Sequence, residues 1–471
     1  MATDFPVLII GFLLVSALIT FLIKTFTKHD TFFLISLIKS KKPLGFFDKM
    51  AKHEKFIDAF TTVGLILGFG AIAVDYLYGR NLPKAKRALL FLASFAGLSL
   101  GFLGLDILFD GVFSNNLLVG PYFPALVVSF GLMGLAGFTL FSLFLQALDI
   151  VSKYLLGIRS CPGVAPLIPG VEIPGVPISP PLHAWLSLLI ILLVHEGMHG
   201  IVGRREGFKI KSTGVILFGF LPVGAFVEPD EGEISRAKDE KVLPFLAAGP
   251  MANLVVMLIT GVVLFGAISV VGPVSDQFFP GVEGQIFSGV AVAGVLEQTT
   301  FCGSTYPAPA FGKLEEGDKI LAINAVAINN PAGLARALGQ NRHDAKTFLL
   351  ERNSEQVTVT IEPNELGQYG FVPQGVRNEA FELPQSYVLF ATIATLIIEF
   401  LFWLFLLNFL VAALNFLPMP PFDGGRMAAL LFLPYVKFSG KSRKEKQELI
   451  AKFFLISILT LLFINALPLF F

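Results

Sequence analysis

Charge is scarce in this chain: 15 % of its 471 residues are Asp, Glu, Lys or Arg, and 35 basic residues balance 35 acidic ones. A sparse, neutral set leaves no electrostatic footprint for nucleic acid, so no nucleic-acid partner is expected. Cysteine is nearly absent, with two residues, Cys161 and Cys302, which excludes a disulfide-framework protein and a cysteine-rich metal module. The N-terminus lacks a basic n-region and a small-residue cleavage site, so residues 5–23 read as a retained spanning helix rather than a cleaved signal. What is abundant is apolar side chain, 54 % of the total. No ordinary soluble domain carries so much, and the chain is expected to lie largely in the lipid bilayer as a multi-pass α-helical membrane protein.

Eight apolar runs are long enough to cross about 30 Å of hydrocarbon: residues 5–23, 59–78, 89–109, 122–148, 183–203, 242–271, 386–416 and 450–470. Basic residues cluster after the fifth run (Arg204, Arg205, Lys209, Lys211, Arg236, Lys238, Lys241) and before the last (Lys437, Lys441, Arg443, Lys444, Lys446). The excess of Lys and Arg assigns both loops to the cytoplasm. Simple alternation then puts residues 24–55 inside, the Pro-rich segment 161–181 outside and a soluble stretch after Gly272 outside. One conflict follows. Arg80, Lys84, Lys86 and Arg87 fall on the outer side, against their charge.

Within the fifth run stands His195-Glu196-Gly197-Met198-His199. Residues i and i+4 share a helix face, so two imidazoles can serve one metal ion while the intervening Glu is placed to act as general base on a metal-bound water. Ionisable groups inside a spanning helix cost a few kcal/mol and point to function by default. His183, twelve residues upstream and about 18 Å along a helix, is too far to join them. A catalytic zinc keeps three protein ligands and an open position. Asp423 is the candidate third ligand. It lies in Asn415-Phe-Leu-Pro418-Met-Pro420-Pro421-Phe422-Asp423-Gly424-Gly425, where prolines end or unwind the seventh run and two glycines permit close approach. Read alone, the segment is equally a surface turn with Asp423 as a helix cap.

Together these motifs resemble the site-2 proteases, intramembrane zinc metalloproteases of peptidase family M50. HExxH on one core helix is followed in that family by Asn-x-x-Pro-x-Pro-x-x-Asp-Gly on a later one, with Phe422 here where Leu is usual. Gly249-Pro250-Met251-Ala252-Asn253 is similar to the Gly-Pro-x-x-Asn that opens the family's second core helix, and residues 213–228, broken by Gly219, Pro222 and Gly224, resemble its short membrane-entering β segment. The resemblance implies zinc held by His195, His199 and Asp423, Glu196 as base, and Asn415 and Asn253 as substrate-binding residues. It covers residues 183–271 and 386–470 and implies membrane-anchored protein substrates cleaved near the cytoplasmic face. A prokaryotic plasma membrane is the expected location.

The chain therefore divides into N-terminal helices (1–150), a Pro-rich outer loop (151–182), a first half-core (183–271), a soluble α+β insert (272–385) and a second half-core (386–471). In the insert, Leu314-Glu315-Glu316-Gly317-Asp318-Lys319-Ile320-Leu321-Ala322-Ile323-Asn324 resembles the strand and turn of a PDZ domain, with Ala325 where glycine usually follows Asn. Alternation over residues 319–326 and 356–361 fits strands, and residues 331–340 fit a short helix. A PDZ-like domain implies capture of peptide tails by strand addition. Cys161 and Cys302 share the outer side in this scheme, so a bridge between them is allowed. Two other readings stay open: a membrane metal-ion transporter using the same ligands, and a non-catalytic PDZ scaffold.

Overall fold

The computed structural model describes residues 5–27, 29–108, 122–173, 176, 178–301, 304–437 and 439–470. Two compact units emerge, one of residues 1–149, 163–263 and 400–470, the other of 150–162 and 264–399. Seven helices among the described residues are long and apolar enough to cross a membrane. This is an integral membrane protein.

The first unit begins with α1 (Phe5–Phe26), followed by strands β1 (Asp30–Phe32) and β2 (Ile35–Ser40) and helices α2 (Leu44–Met50), α3 (Glu54–Val74), α4 (Lys84–Leu108), α5 (Phe123–Leu155) and α6 (Ala184–Arg205). A hairpin of β3 (Ile210–Phe218) and β4 (Leu221–Pro229), then α7 (Glu231–Arg236), leads to α8 (Asp239–Phe278). Residues 213–228 are thus a full hairpin, and it does not stand alone. The order β1-β2-β3-β4 makes a four-stranded antiparallel sheet from two distant stretches, with β4 at its edge. The basic run expected as an inner loop over 24–55 contributes two of the strands. Sheet and α1 run side by side: the Thr20 hydroxyl donates to the Leu34 carbonyl, and Gly219, at the β3–β4 turn, meets Ser16 near the middle of α1. The sheet is polarised along its strands. Lys39–Asp30 (2.9 Å) and Lys211–Asp230 (3.4 Å) ion pairs occupy one end, whereas Phe32, Phe33 and Phe220 stand exposed at the turns of the other.

Two helices of this unit do not run straight. α3 breaks at Gly70 (φ 56°, ψ −141°) and α5 at Gly134 (φ 56°, ψ −144°). The breaks touch: a Cβ on Gly70 would lie 2.6 Å from the Gly134 nitrogen. Beyond its break α5 folds back, since a Cβ on Gly137 would lie 2.3 Å from the Ser129 carbonyl oxygen, eight residues and about 12 Å away in a straight helix. α3 is held at both ends by one set of loops. Near its start Asp58 pairs with Arg205 at the end of α6, and just past its end Tyr76 donates to Asp239 (2.7 Å), which opens α8 and itself pairs with Arg443. The basic turn at 80–87 therefore lies beside Asp239 and Arg443, on the side of the other basic loops. These contacts at the two ends of α3 do not fit simple alternation through residues 80–87.

The unit closes with α11 (Gln385–Phe416), α12 (Asp423–Leu431) and α13 (Arg443–Ala466), introduced after the second unit's elements in the chain. Its core joins Leu65 and Phe69 of α3, Leu246 and Met251 of α8, Phe416 and Met427.

The second unit takes residues 264–278 of α8 and 385–399 of α11 and, between them, α9 (Val282–Ile286), strands β5 (Phe287–Val295), β6 (Gln298–Phe301), β7 (Ser304–Pro307), β8 (Lys319–Ile323) and β9 (Val326–Ala327), helix α10 (Pro331–Gly339), and strands β10 (Lys346–Arg352), β11 (Glu355–Ile361) and β12 (Phe371–Arg377). The sheet order is β11-β10-β8-β5-β12, with β9 on β8. Alternation places Phe348 and Leu350 inward against Ile320, Ile323 and Val290. α10 starts where expected, with Asn330 accepting from the Gly333 N–H and Pro331 at its first position. Cys161 is disulfide-bonded, and Cys302 lies outside the described residues.

Candidate metal centre

The HExxH residues lie on α6 as the spacing requires. His195 and His199 are buried, and their Nε2 atoms stand 3.2 Å apart. From the far side comes Asp423, first residue of α12, whose Oδ2 lies 3.2 Å from His199 Nε2 and 3.4 Å from His195 Nε2. α11 stops at Phe416, six residues of irregular chain follow, and α12 restarts with its first carboxylate aimed at the two imidazoles.

These three separations test whether a metal fits. Four ligands at about 2.0 Å in a tetrahedron are about 3.3 Å apart, the spacing found between each pair of these atoms. Without a cation the arrangement is awkward, because lone pairs on two imidazole nitrogens and a carboxylate oxygen would face one another. The other ring nitrogens are spoken for. His199 Nδ1 donates to the Phe245 carbonyl (2.8 Å), which leaves Nε2 as an unprotonated ligand. His195 Nδ1 lies 3.1 Å from the side-chain amide of Asn253. Ligation through Nε2 requires the proton on Nδ1, so the amide must present Oδ1 to it, an orientation that a half-turn of the amide supplies. Asn253, expected on the substrate side, stands fully buried behind a ligand.

Glu196 is half-buried, and its Oε2 accepts from the Val227 N–H of β4 at 2.9 Å. Val227 presents that N–H away from β3, at the sheet edge that no further strand among the described residues covers. Asn415 is half-buried and donates to the Val411 carbonyl one turn earlier in α11, which leaves its Oδ1 for other partners. Gly249 carries an unforeseen constraint. A Cβ there would stand 2.4 Å from His199 Nε2 and 2.6 Å from His195 Nε2, so only glycine leaves the metal position open. The motif around Gly249 was visible in the sequence, its reason was not. Nothing local marks Phe245 or Val227, which act through backbone atoms. His183, set aside on spacing, directly precedes α6 and is not part of the ligand group.

The profile of peptidase family M50 matches residues 183–463, more than half of the chain and all of the ligand set. The chain belongs to peptidase family M50. Over 264 residues it is 28 % identical to an uncharacterized protein of Methanocaldococcus jannaschii, a match spanning 55 % of this chain and 56 % of that one. Over 313 residues it is 24 % identical to a protein of Clostridium perfringens provisionally named a zinc metalloprotease, spanning 52 % of this chain and 85 % of that protein. The chain thus spans little more than half the length of the first relative. The family match begins at the N-terminal end of α6, so α1 to α5 lie outside it.

Proposed function

We propose that this chain is an intramembrane zinc metalloprotease that hydrolyses peptide bonds within or near the transmembrane segments of membrane-anchored proteins. The observation that carries the reading is the tetrahedral spacing of His195 Nε2, His199 Nε2 and Asp423 Oδ2, with the Glu196 carboxylate on the same helix. Zinc, when bound, supplies Lewis acidity that brings the pKa of water toward neutrality and polarises the scissile carbonyl. Glu196 takes the proton of the attacking water and returns it to the leaving amine. β4 ends its sheet with no strand among the described residues beyond it, which suits an extended substrate, and the approach of Gly219 in the β3–β4 turn to Ser16 of α1 supports pairing at membrane depth. A substrate helix must unwind to pair there, so helix-weakening residues are expected near the cut.

The second unit reads as a PDZ-like domain that receives peptide tails, on the strength of its five-strand path, α10 and the Asn324-Ala325 turn. The charge distribution favours an orientation with the metal near the cytoplasmic side and the PDZ-like unit outside, and a prokaryotic plasma membrane is the expected location. Bound zinc and cleavage of a transmembrane peptide, measured on detergent-solubilised wild type and Glu196→Gln, test the proposal. Zinc in both with cleavage only in wild type is expected. Equal cleavage by both proteins would overturn it. A transporter would instead lose metal flux with the histidines and be indifferent to Glu196.

A further inference from the structure

We propose that α3 is a positioning splint for α12, fixing Asp423 at metal distance through an Asp75–Arg87–Tyr435 cluster at one end of α12 and the Gly68–Phe416 contact at the other. The inference rests on the metal reading of His195, His199 and Asp423, and it concerns residues that lie, in Asp75 and Arg87, outside the family match.

Asp75 follows α3 directly, in a single wide helical turn (Asp75–Gly79), and is 2 % exposed. A buried carboxylate is tolerated only with full partners, and Asp75 has them. Arg87, from α4, makes a two-pronged contact: Nε donates to Oδ1 at 2.7 Å and a terminal nitrogen donates to Oδ2 at 2.6 Å. The Tyr435 hydroxyl also donates to Oδ2, and the Arg87 guanidinium lies 5.8 Å from the Tyr435 ring centroid. Burial and the hydrogen bond to Asp75 push the Tyr435 hydroxyl up to about 12, so it stays a donor at any working pH. Tyr435 closes the short turn (Leu433–Tyr435) that follows α12 after one residue. The C-terminal end of α12 is thereby tied to the turn that directly follows α3.

The other end is held by packing. A Cβ on Gly68 would lie 2.3 Å from the Phe416 ring, so α3 meets that ring at glycine distance. The Phe416 carbonyl in turn sits where a Cβ on Gly424, the residue after Asp423, would fall within 2.3 Å. Gly68, before the break in α3, and Asp75, just past the end of that helix, therefore bracket the nine residues of α12. A rigid short helix held at both ends gives its first side chain one position. That is what the third ligand needs, since Asp423 arrives on irregular chain and no local cap fixes its entry.

The test is the zinc dissociation constant of the full chain, measured by chelator competition for wild type, Asp75→Asn, Tyr435→Phe, Asp423→Ala and Asp318→Asn. Asp318, in the second unit, is a similarly buried carboxylate paired with an arginine, Arg352, and controls for general loss of stability. Asp75→Asn is expected to weaken zinc at least tenfold, and Tyr435→Phe severalfold, as loss of a ligand's supporting partners does, with Asp318→Asn unchanged. Wild-type affinity in Tyr435→Phe and Asp75→Asn, with zinc lost in Asp423→Ala, overturns the splint and leaves the metal reading standing. Equal weakening in Asp318→Asn also overturns it. Tyr435→Phe keeps the ring and decides the matter should Asp75→Asn not fold. Zinc retained undiminished in Asp423→Ala instead removes the metal reading itself.

Discussion

A methyl group at position 249 would come within 2.6 Å of both imidazole Nε2 atoms, well inside van der Waals contact and in the space a bound ion needs. α8 cannot retreat to make room, because Leu246, Ala247 and Met251 on the same stretch are buried in the main core. Gly249→Ala is therefore expected to fold and to bind no stoichiometric zinc, with cleavage lost; metal analysis of the purified variant checks this, and a full zinc complement would refute the geometry. The ligands themselves were legible because i, i+4 spacing on a helix is a local property, and Asp423 because prolines and glycines announce a broken helix. Gly249, Phe245 and Val227 were not, since each acts across elements far apart in sequence and two of them through main-chain atoms that no side-chain pattern encodes.

Among the elements, the turn between β8 and β9 has an identifiable flaw. Asn324 and Ala325 both adopt positive φ, 47° and 64°, which Asn accepts and Ala resists. The sequence pattern already marked Ala325 as the non-ideal residue there. Ala325→Gly should stabilise the second unit by about 1 kcal/mol, seen as slower amide exchange across β8 and β10; unchanged or faster exchange would contradict it. The neighbouring Asp318 sets an acid limit. Burial works to raise its pKa, but hydrogen bonds from Arg352 and from the Glu315 N–H outweigh burial and hold the carboxyl below the usual range. A depressed folded pKa stabilises the fold at pH above the unfolded value, about 3.9, and that contribution disappears as pH falls through the folded pKa. Wild type should exceed Asp318→Asn in exchange protection at pH 5 to 7, with the gap closing on acidification below about pH 4. A gap independent of pH would show that the pair contributes by packing alone. β1 and β2, by contrast, were hidden in the sequence: residues 30–40 are too short and too basic at their margins to read as strands until β3 supplies a partner.

At the scale of the whole chain, the distribution of charge and the count of apolar runs disagreed over residues 80–87, and the contacts of Tyr76 and Arg443 with Asp239 put that turn beside the other basic loops. α3 and α5 carry breaks at Gly70 and Gly134 with nearly the same backbone angles, and no periodicity distinguishes these two glycines from the other 43 in the chain. The breaks are mutually dependent. Each lacks a Cβ where the other's backbone passes, with α3 anchored at Asp58 and Tyr76 and α5 bending back past Ser129. Unsatisfied backbone at such a depth is tolerable only inside protein, and α3 is accordingly the most buried of the seven apolar helices, two-thirds of its apolar window being enclosed. Single cysteines at Leu82, Lys441 and Ile178, introduced into protein in sealed right-side-out vesicles, make this topology measurable with a membrane-impermeant maleimide. Leu82→Cys and Lys441→Cys are expected to label only after the vesicles are opened, and Ile178→Cys before. Labelling of Leu82→Cys together with Ile178→Cys in intact vesicles would restore simple alternation, and α3 would then have to cross in spite of the contacts that bind both its ends to the loops of α6 and α8.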